Sequence, residues 1–232
     1  MVTRRQSWRR FNCTAARAAA LGAALLSALL ALSPRMLSAQ APGPLDNPVR
    51  VGDLWVYNTK DEVTGFPKGT YTQVVTDVTP TEIHVSMTVR GQNGSALVIY
   101  DHDWNRIDNL LLKFRPNDGQ GIRLPLTIGK EWRSEYEARN VKTGGASKGT
   151  VAAKVLGREM VTTEAGTFET FKVQTRVRDV DASDPSKIWE FENVLWYASE
   201  ASRWVRRTTV EKFQQRVRSN MSEELSDYSR SF

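Results

Sequence analysis

Two histidines, His84 and His102, and one cysteine, Cys13, are the first candidates for chemistry in this chain. His102 stands between Asp101 and Asp103, a trio that offers an imidazole and two carboxylates to a cation. The same residues suit a turn, in which Asp side chains accept hydrogen bonds from nearby backbone N–H groups. A catalytic zinc ion normally takes three protein ligands, and neither HExxH nor paired-His spacing occurs, so the turn is the expected role. His84 falls on the polar face of an alternating segment, where a hydrogen-bonded or solvated imidazole is expected. No phosphate loop and no dinucleotide fingerprint is present, and no cofactor or metal is expected. Asp101, Asp103, Asp108, Glu190 and Glu192 could supply paired carboxylates, but no spacing selects two of them.

The aromatic residues are more informative. Beyond residue 39 lie Trp55, Trp104, Trp132, Trp189, Trp196 and Trp204. Trp55, Trp132 and Trp196 sit in apparent strands beside Tyr57, Tyr136 and Tyr197. Most are expected to fill the core of a β-domain, since aromatics favour strands and bury large areas. Some could instead line a concave face that holds an apolar or amphipathic ligand. The candidate ligand-contacting residues are Trp55, Tyr57, Trp104, Trp132, Tyr136, Trp196, Tyr197 and Trp204, with Trp104 and Trp204 expected at a rim because they adjoin turns.

The elements that must position these rings come after an N-terminal targeting pattern. Arg4, Arg5, Arg9 and Arg10 form a basic start, an Ala- and Leu-rich run follows, and Ser38, Ala39 and Ala41 are small. This layout predicts a secretory signal peptide over 1–39, with cleavage near Ala39. Its uninterrupted apolar part, about 15 residues, falls short of the ~20 that span a bilayer. The mature protein is expected in the periplasm or secreted. The chain has 32 Lys+Arg against 26 Asp+Glu; six of the arginines and none of the acids fall in 1–39, which leaves 26 against 26. The basic balance belongs to the targeting signal, so nucleic acid is not an expected partner. Cys13 falls there too, and the mature chain must rely on its core rather than on disulfides.

Residues 40–49 hold Pro42, Gly43, Pro44 and Pro48 and read as a flexible leader. Residues 50–213 read as one antiparallel β-domain. Phe171, Val173, Thr175 and Val177 alternate with Lys172, Gln174, Arg176 and Arg178; Ile83, Val85, Met87 and Val89 alternate with polar neighbours in the same way. Gly91-Gln-Asn-Gly94 and Thr143-Gly-Gly-Ala-Ser147 mark hairpins. Arg106 to Phe114 reads as one strand. The polar tail, 214–232, fits a short helix or a last strand. Strands at roughly 8–12-residue spacing predict an all-β fold of about ten strands, a curved sheet, barrel or sandwich. Val51-Gly-Asp-Leu-Trp-Val-Tyr57 is similar to Ile128-Gly-Lys-Glu-Trp-Arg-Ser-Glu-Tyr136, which would fit two related meanders. Arg203, Arg206, Arg207, Lys212, Arg216 and Arg218 make the C-terminal part basic, a solvated strand face by default and otherwise a patch for anionic headgroups.

The segment Val161-Thr-Thr-Glu-Ala-Gly-Thr-Phe-Glu-Thr-Phe-Lys-Val173, followed by Leu195-Trp-Tyr-Ala198 and Arg203–Arg206, resembles a group of uncharacterised bacterial exported proteins. In these an Ala-Gly-Thr-Phe turn precedes a strand and a Trp-Tyr-Ala strand follows. Gly129-Lys-Glu-Trp132 also fits; Ala198-Ser-Glu-Ala201 departs from the Pro-Gly turn usual there. In outline such proteins are similar to periplasmic folds of the lipoprotein-carrier kind, where a curved sheet can hold acyl chains. The resemblance implies fold and compartment and supplies no catalytic residues. The favoured role is therefore non-catalytic: an exported envelope protein that binds a lipid or small apolar ligand. The alternatives are an interaction module with a filled core and an envelope protein partner, and a hydrolase of envelope polymers.

Overall fold

Alternation of apolar and polar side chains dictates strands, and strands dominate. The computed structural model describes residues 48–117 and 119–231, and among the described residues there is no helix. The predicted signal peptide and most of the leader, residues 1–47, lie outside the described residues. Twelve strands follow one another: β1 Leu54–Asp61, β2 Pro67–Val78, β3 Ile83–Val89, β4 Ala96–Tyr100, β5 Arg106–Asp108, β6 Leu112–Arg115, β7 Glu131–Asn140, β8 Ala146–Thr163, β9 Gly166–Asp181, β10 Ile188–Ala198, β11 Arg203–Phe213 and β12 Arg216–Ser229. The all-β expectation holds, and the architecture is a closed barrel rather than a sandwich.

Each strand pairs antiparallel with the one before it, and β12 returns to pair with β1, so no edge is left open. The register runs from Leu54↔Ser229 to Asp61↔Met221. Strict up-and-down order puts the β1–β2, β3–β4, β5–β6, β7–β8, β9–β10 and β11–β12 turns at one end, here the hairpin end. The other connections and both ends of the described chain lie at the opposite end, the floor.

One predicted strand differs from the expectation. Arg106 to Phe114 is not continuous but divides into β5 and β6. Asp108 accepts from the Leu110 N–H, and Asn109 accepts from those of Leu111 and Leu112. These side-chain bonds hold a turn that competes with the ladder. The polar tail supplies β12, which closes the barrel.

The main core packs at the floor, where Trp55, Tyr57, Ile83, Val85, Val155 and Val173 are fully or almost fully buried. A smaller cluster of Phe114, Tyr136, Ala138, Val151 and Val177 fills the β6–β9 sector nearer the hairpin end. Tyr136 lies across Gly149, its cross-strand partner; a Cβ there would meet the ring at 2.0 Å. The seam between β1 and β12 is latched by Asp53, fully buried, which accepts from Arg50 N (2.8 Å) and Ser231 N (2.7 Å) and ion-pairs with Arg230 Nε (3.0 Å).

Candidate functional site

The alternation that fills the floor leaves room above it. A cavity of about 700 Å³ occupies the barrel between β2–β4 and β10–β12. Tyr100, Trp104, Ile122, Tyr197 and Trp204 form its lower part. Tyr71, Met87 and Val98 line one wall and Leu195 the other. It opens at the hairpin end, where Leu110 and Leu111 of the β5–β6 turn and Lys142 of the β7–β8 turn line the mouth.

The polar groups in the walls are few and mostly satisfied. Asn193 donates to Thr175 Oγ1 (3.1 Å) and accepts from Thr209 Oγ1 (2.8 Å). Arg207 on β11 faces Glu223 on β12, with Nε and Nη2 donating to its two oxygens at 2.8 Å each. Burial works against the Arg207 charge, but Glu223 more than offsets it and holds the guanidinium above its ordinary pKa. Burial also raises Tyr71 well above the usual phenol range and pushes Tyr197 up to about 12. These hydroxyls stay neutral at any physiological pH.

Below this wall sits a buried cation without a carboxylate partner among the described residues. Arg203 is fully buried, and its Nη2 donates to Gln73 Oε1 at 2.8 Å. Its guanidinium lies 3.6 Å from the Trp104 ring centroid and 3.8 Å from that of Trp204, with Tyr100 at 4.8 Å and Trp55 at 5.5 Å. The ring faces supply the negative charge that a carboxylate would otherwise supply. Arg203 Nε and Nη1, Trp204 Nε1 and the Tyr197 hydroxyl have no hydrogen-bond partner among the described residues.

The local backbone explains the clustering. Trp104 takes a positive φ of 61° in the turn that Asp101 organises. Its indole N–H donates to Ser202 O at 3.0 Å. On β11 the register shifts opposite Trp196 and Tyr197, a bulge that leaves Val205 without a partner. Arg203, Trp204 and Val205 are consequently buried in succession.

Of the eight aromatic candidates, the cavity surface takes Trp104, Tyr197 and Trp204. Trp104 and Trp204 are buried deep rather than placed at a rim. Trp55 and Tyr57 pack in the core beneath, with Trp55 Nε1 donating to Ala201 O and the Tyr57 hydroxyl to Trp204 O. Trp132 belongs to the same core, away from the cavity wall, and Tyr136 to the smaller cluster, with its hydroxyl 3.1 Å from Asp179. Trp196 faces outward, because Leu195 and Tyr197 on either side face in; it donates to Glu159 and carries Lys172 over its ring at 4.9 Å. Sequence reasoning missed Tyr71, Tyr100, Arg207 and Glu223. Alternation in β2 and β4 could have found the two tyrosines, whereas a charged pair on an alternating strand reads as solvent-facing.

The other candidates for chemistry are in structural roles. Asp101 Oδ1 accepts from the N–H groups of Asp103 and Asn105, and Asn117 Nδ2 donates to Oδ2 at 2.7 Å. His102 Nε2 lies 2.9 Å from Thr79 O, and His84 Nε2 lies 2.9 Å from Glu82. Among the described residues no three His, Cys, Asp or Glu side chains converge as a metal-binding set. Gly145-Ala-Ser-Lys-Gly149 spells Gly-x-Ser-x-Gly, but it opens β8 beside a hairpin instead of turning from strand to helix. Both histidines lie toward the floor, away from Ser147 at the hairpin end. In the basic C-terminal part, Arg206 pairs with Glu224, Arg207 with Glu223 and Lys212 with Glu192.

No family model matches the chain, and no curated protein matches it in sequence. Its fold is similar to that of a lipoprotein candidate from Parabacteroides distasonis, at 14% identity and a TM-score of 0.52, over 78% of this chain and 97% of that one. It is likewise similar to an exported-protein candidate with a YmcC-like fold from Bacteroides fragilis, at 14% identity and a TM-score of 0.50, over 79% of this chain and 98% of that one. At such identity the likeness is one of fold.

Proposed function

We propose that this chain is an exported, non-catalytic protein of the bacterial envelope that holds an apolar or amphipathic ligand inside its barrel. The observation that carries the reading is the cavity of about 700 Å³, walled by tyrosine, tryptophan and aliphatic side chains and open at one end. Its volume falls within the ~300–1,000 Å³ typical of small-ligand sites. The Arg207–Glu223 pair in the wall and the buried donors of Tyr197 and Trp204 beside it favour a ligand with an apolar body and an acceptor-bearing end. The signal-peptide pattern and the two neighbours, one a lipoprotein candidate and the other an exported-protein candidate, support the compartment.

The test is uptake of a fluorescent fatty-acid probe by the mature protein, alongside native mass spectrometry of protein purified gently from its host. A co-purifying apolar mass that is lost on denaturation, and saturable probe uptake, are expected. Ala96 lines the cavity and is only half buried, so Ala96→Trp should fill the space without dismantling the core and should abolish uptake. A clean mass together with no uptake by the wild type would overturn the reading in favour of a filled interaction module.

A further inference from the structure

Most of the exposed large apolar residues lie at the hairpin end, while Val51, Ile128, Leu156 and Met160 are exposed on the floor side of the barrel. Val63 (76% exposed) and Phe66 (70%) sit on the β1–β2 turn, and Val217 (57%) at the β11–β12 turn. Leu110 and Leu111, each 50% exposed, form the β5–β6 turn, and Val141 starts the β7–β8 turn. All are at the hairpin end, around the cavity mouth. Folding alone gives no reason to place side chains as large as Phe66 and Val63 at the tip of a turn, and clustered exposed apolar surface marks an interaction site.

Cations accompany these side chains. Arg90, Lys142, Arg216 and Arg218 are exposed at the same end, and none makes a salt bridge among the described residues. By contrast Lys60, Lys68 and Lys113 are taken by Glu62, Asp61 and Asp108. The acids of the β9–β10 turn, Asp181 and Asp184, hold their own turn through Ser183 and Ser186 and keep their charge, Asp184 beside Lys187, on a turn apart from those that carry Val63, Phe66 and Val217. The unpaired charge of the rim is therefore positive on the turns that carry the apolar residues. Apolar side chains able to enter the acyl boundary, interleaved with cations able to meet headgroups, match the composition of an interfacial membrane anchor.

We propose that the hairpin end docks on the surface of an anionic lipid bilayer, with Val63, Phe66 and Val217 inserted and Arg216 and Arg218 at the headgroups. This rests on the reading of the cavity as a ligand site in one respect: docking in this orientation sets the mouth, at Leu110, Leu111 and Lys142, against the membrane. An amphipathic molecule could then pass between bilayer and barrel without crossing water.

The experiment is vesicle flotation of the mature chain with phosphatidylglycerol–phosphatidylethanolamine vesicles and with phosphatidylcholine vesicles. Wild type is expected to float with the anionic vesicles and to be released by high salt. The triple variant Val63→Ser, Phe66→Ser, Val217→Ser should lose at least tenfold in partitioning, and Arg216→Gln with Arg218→Gln should lose the preference for anionic lipid. None of these residues lines the cavity, so probe uptake in solution should be unchanged in both variants. Ala96→Trp should float while failing to take up probe, so failure of docking and failure of ligand binding are read separately. Absence of flotation by wild type, or undiminished flotation by the triple variant, would overturn the proposal. A concentration-dependent dimer in analytical ultracentrifugation that the triple variant abolishes would also overturn it, assigning the rim to a second copy of the chain.

Discussion

Arg207 and Glu223 stand directly opposite each other on β11 and β12 and are joined by two hydrogen bonds of 2.8 Å on the interior face of the barrel. Their chain neighbours Arg206 and Glu224 form the equivalent pair outside, at 2.9 Å. The inner pair is less exposed, and Glu223 holds the arginine charge in place against the cost of burial. Removing one partner leaves a charge facing an apolar cavity. Glu223→Gln is expected to cost about 1.5–3 kcal/mol of stability in urea unfolding, the usual range for a hydrogen bond to a charged group. The double variant Arg207→Met, Glu223→Leu should return to within about 1 kcal/mol of wild type, since a buried ion pair can be replaced by apolar residues of similar volume. A double variant as weak as the single one would show that the pair organises the strands beyond its own charges.

Arg203 offers a sharper contrast between shape and charge. Its planar guanidinium lies between Trp104 and Trp204, and its Nη2 donates to Gln73 Oε1. Lysine keeps the charge and loses the flat face that stacks on indole rings. Methionine keeps much of the volume and removes the charge. Arg203→Lys is therefore expected to cost more than Arg203→Met, by about 1–2 kcal/mol, with the larger loss of near-ultraviolet tryptophan dichroism. Equal stability of the lysine variant and wild type would show that charge alone holds the site.

Alternation made the fold legible. The buried and exposed residues of β3 and β9 fall as their sequence spacing requires, and the Gly-rich segments at 91–94 and 143–147 fall at turns. The site was much less legible. Residue type alone put Trp196 among the ligand contacts, yet its inward-facing neighbours Leu195 and Tyr197 force it out. Trp104 adjoins a turn and so reads as a rim residue, but its positive φ turns the indole into the core. β12 was ambiguous because its inward positions include Ser219 and Glu223, which answer polar partners on β11 rather than an apolar core. Which polar residues face inward depends on cross-strand partners distant in sequence.

Buried tyrosines give the barrel an alkaline limit. Burial raises the pKa of Tyr57 and Tyr71 well above the ordinary 10.0, and that of Tyr197 to about 12. Below about pH 10 these phenols are neutral in folded and unfolded chains alike, and they add no pH dependence. Above it the unfolded chain ionises first, so stability falls from about pH 10 to about pH 12, by up to ~1.4 kcal/mol per pH unit for each tyrosine. Spectrophotometric titration should show these three silent until unfolding begins. Tyr197→Phe should flatten the loss at little cost near neutrality, because its hydroxyl has no partner among the described residues. A free titration of all tyrosines near pH 10 in the folded protein would contradict the interior they are placed in.

The barrel closes where β1 meets β12, and Asp53 is the fastening. Its carboxylate takes the N–H of Arg50, the N–H of Ser231 and the guanidinium of Arg230, while Arg230 also reaches Pro48 O at 3.0 Å. Neither side chain is appreciably exposed, so the loss of Asp53 leaves Arg230 charged and buried. Asp53→Ala is expected to cost about 3–5 kcal/mol, the range for breaking a buried pair from one side. The loss should be local before it is global, because β12 is tied to β1 on one flank and β11 on the other. Amide exchange in the variant should therefore accelerate first at Leu225–Ser229 and at Leu54–Val56, with the β8–β9 pairing protected until global unfolding. Uniform acceleration across all strands would instead mean that the seam opens only together with the whole barrel.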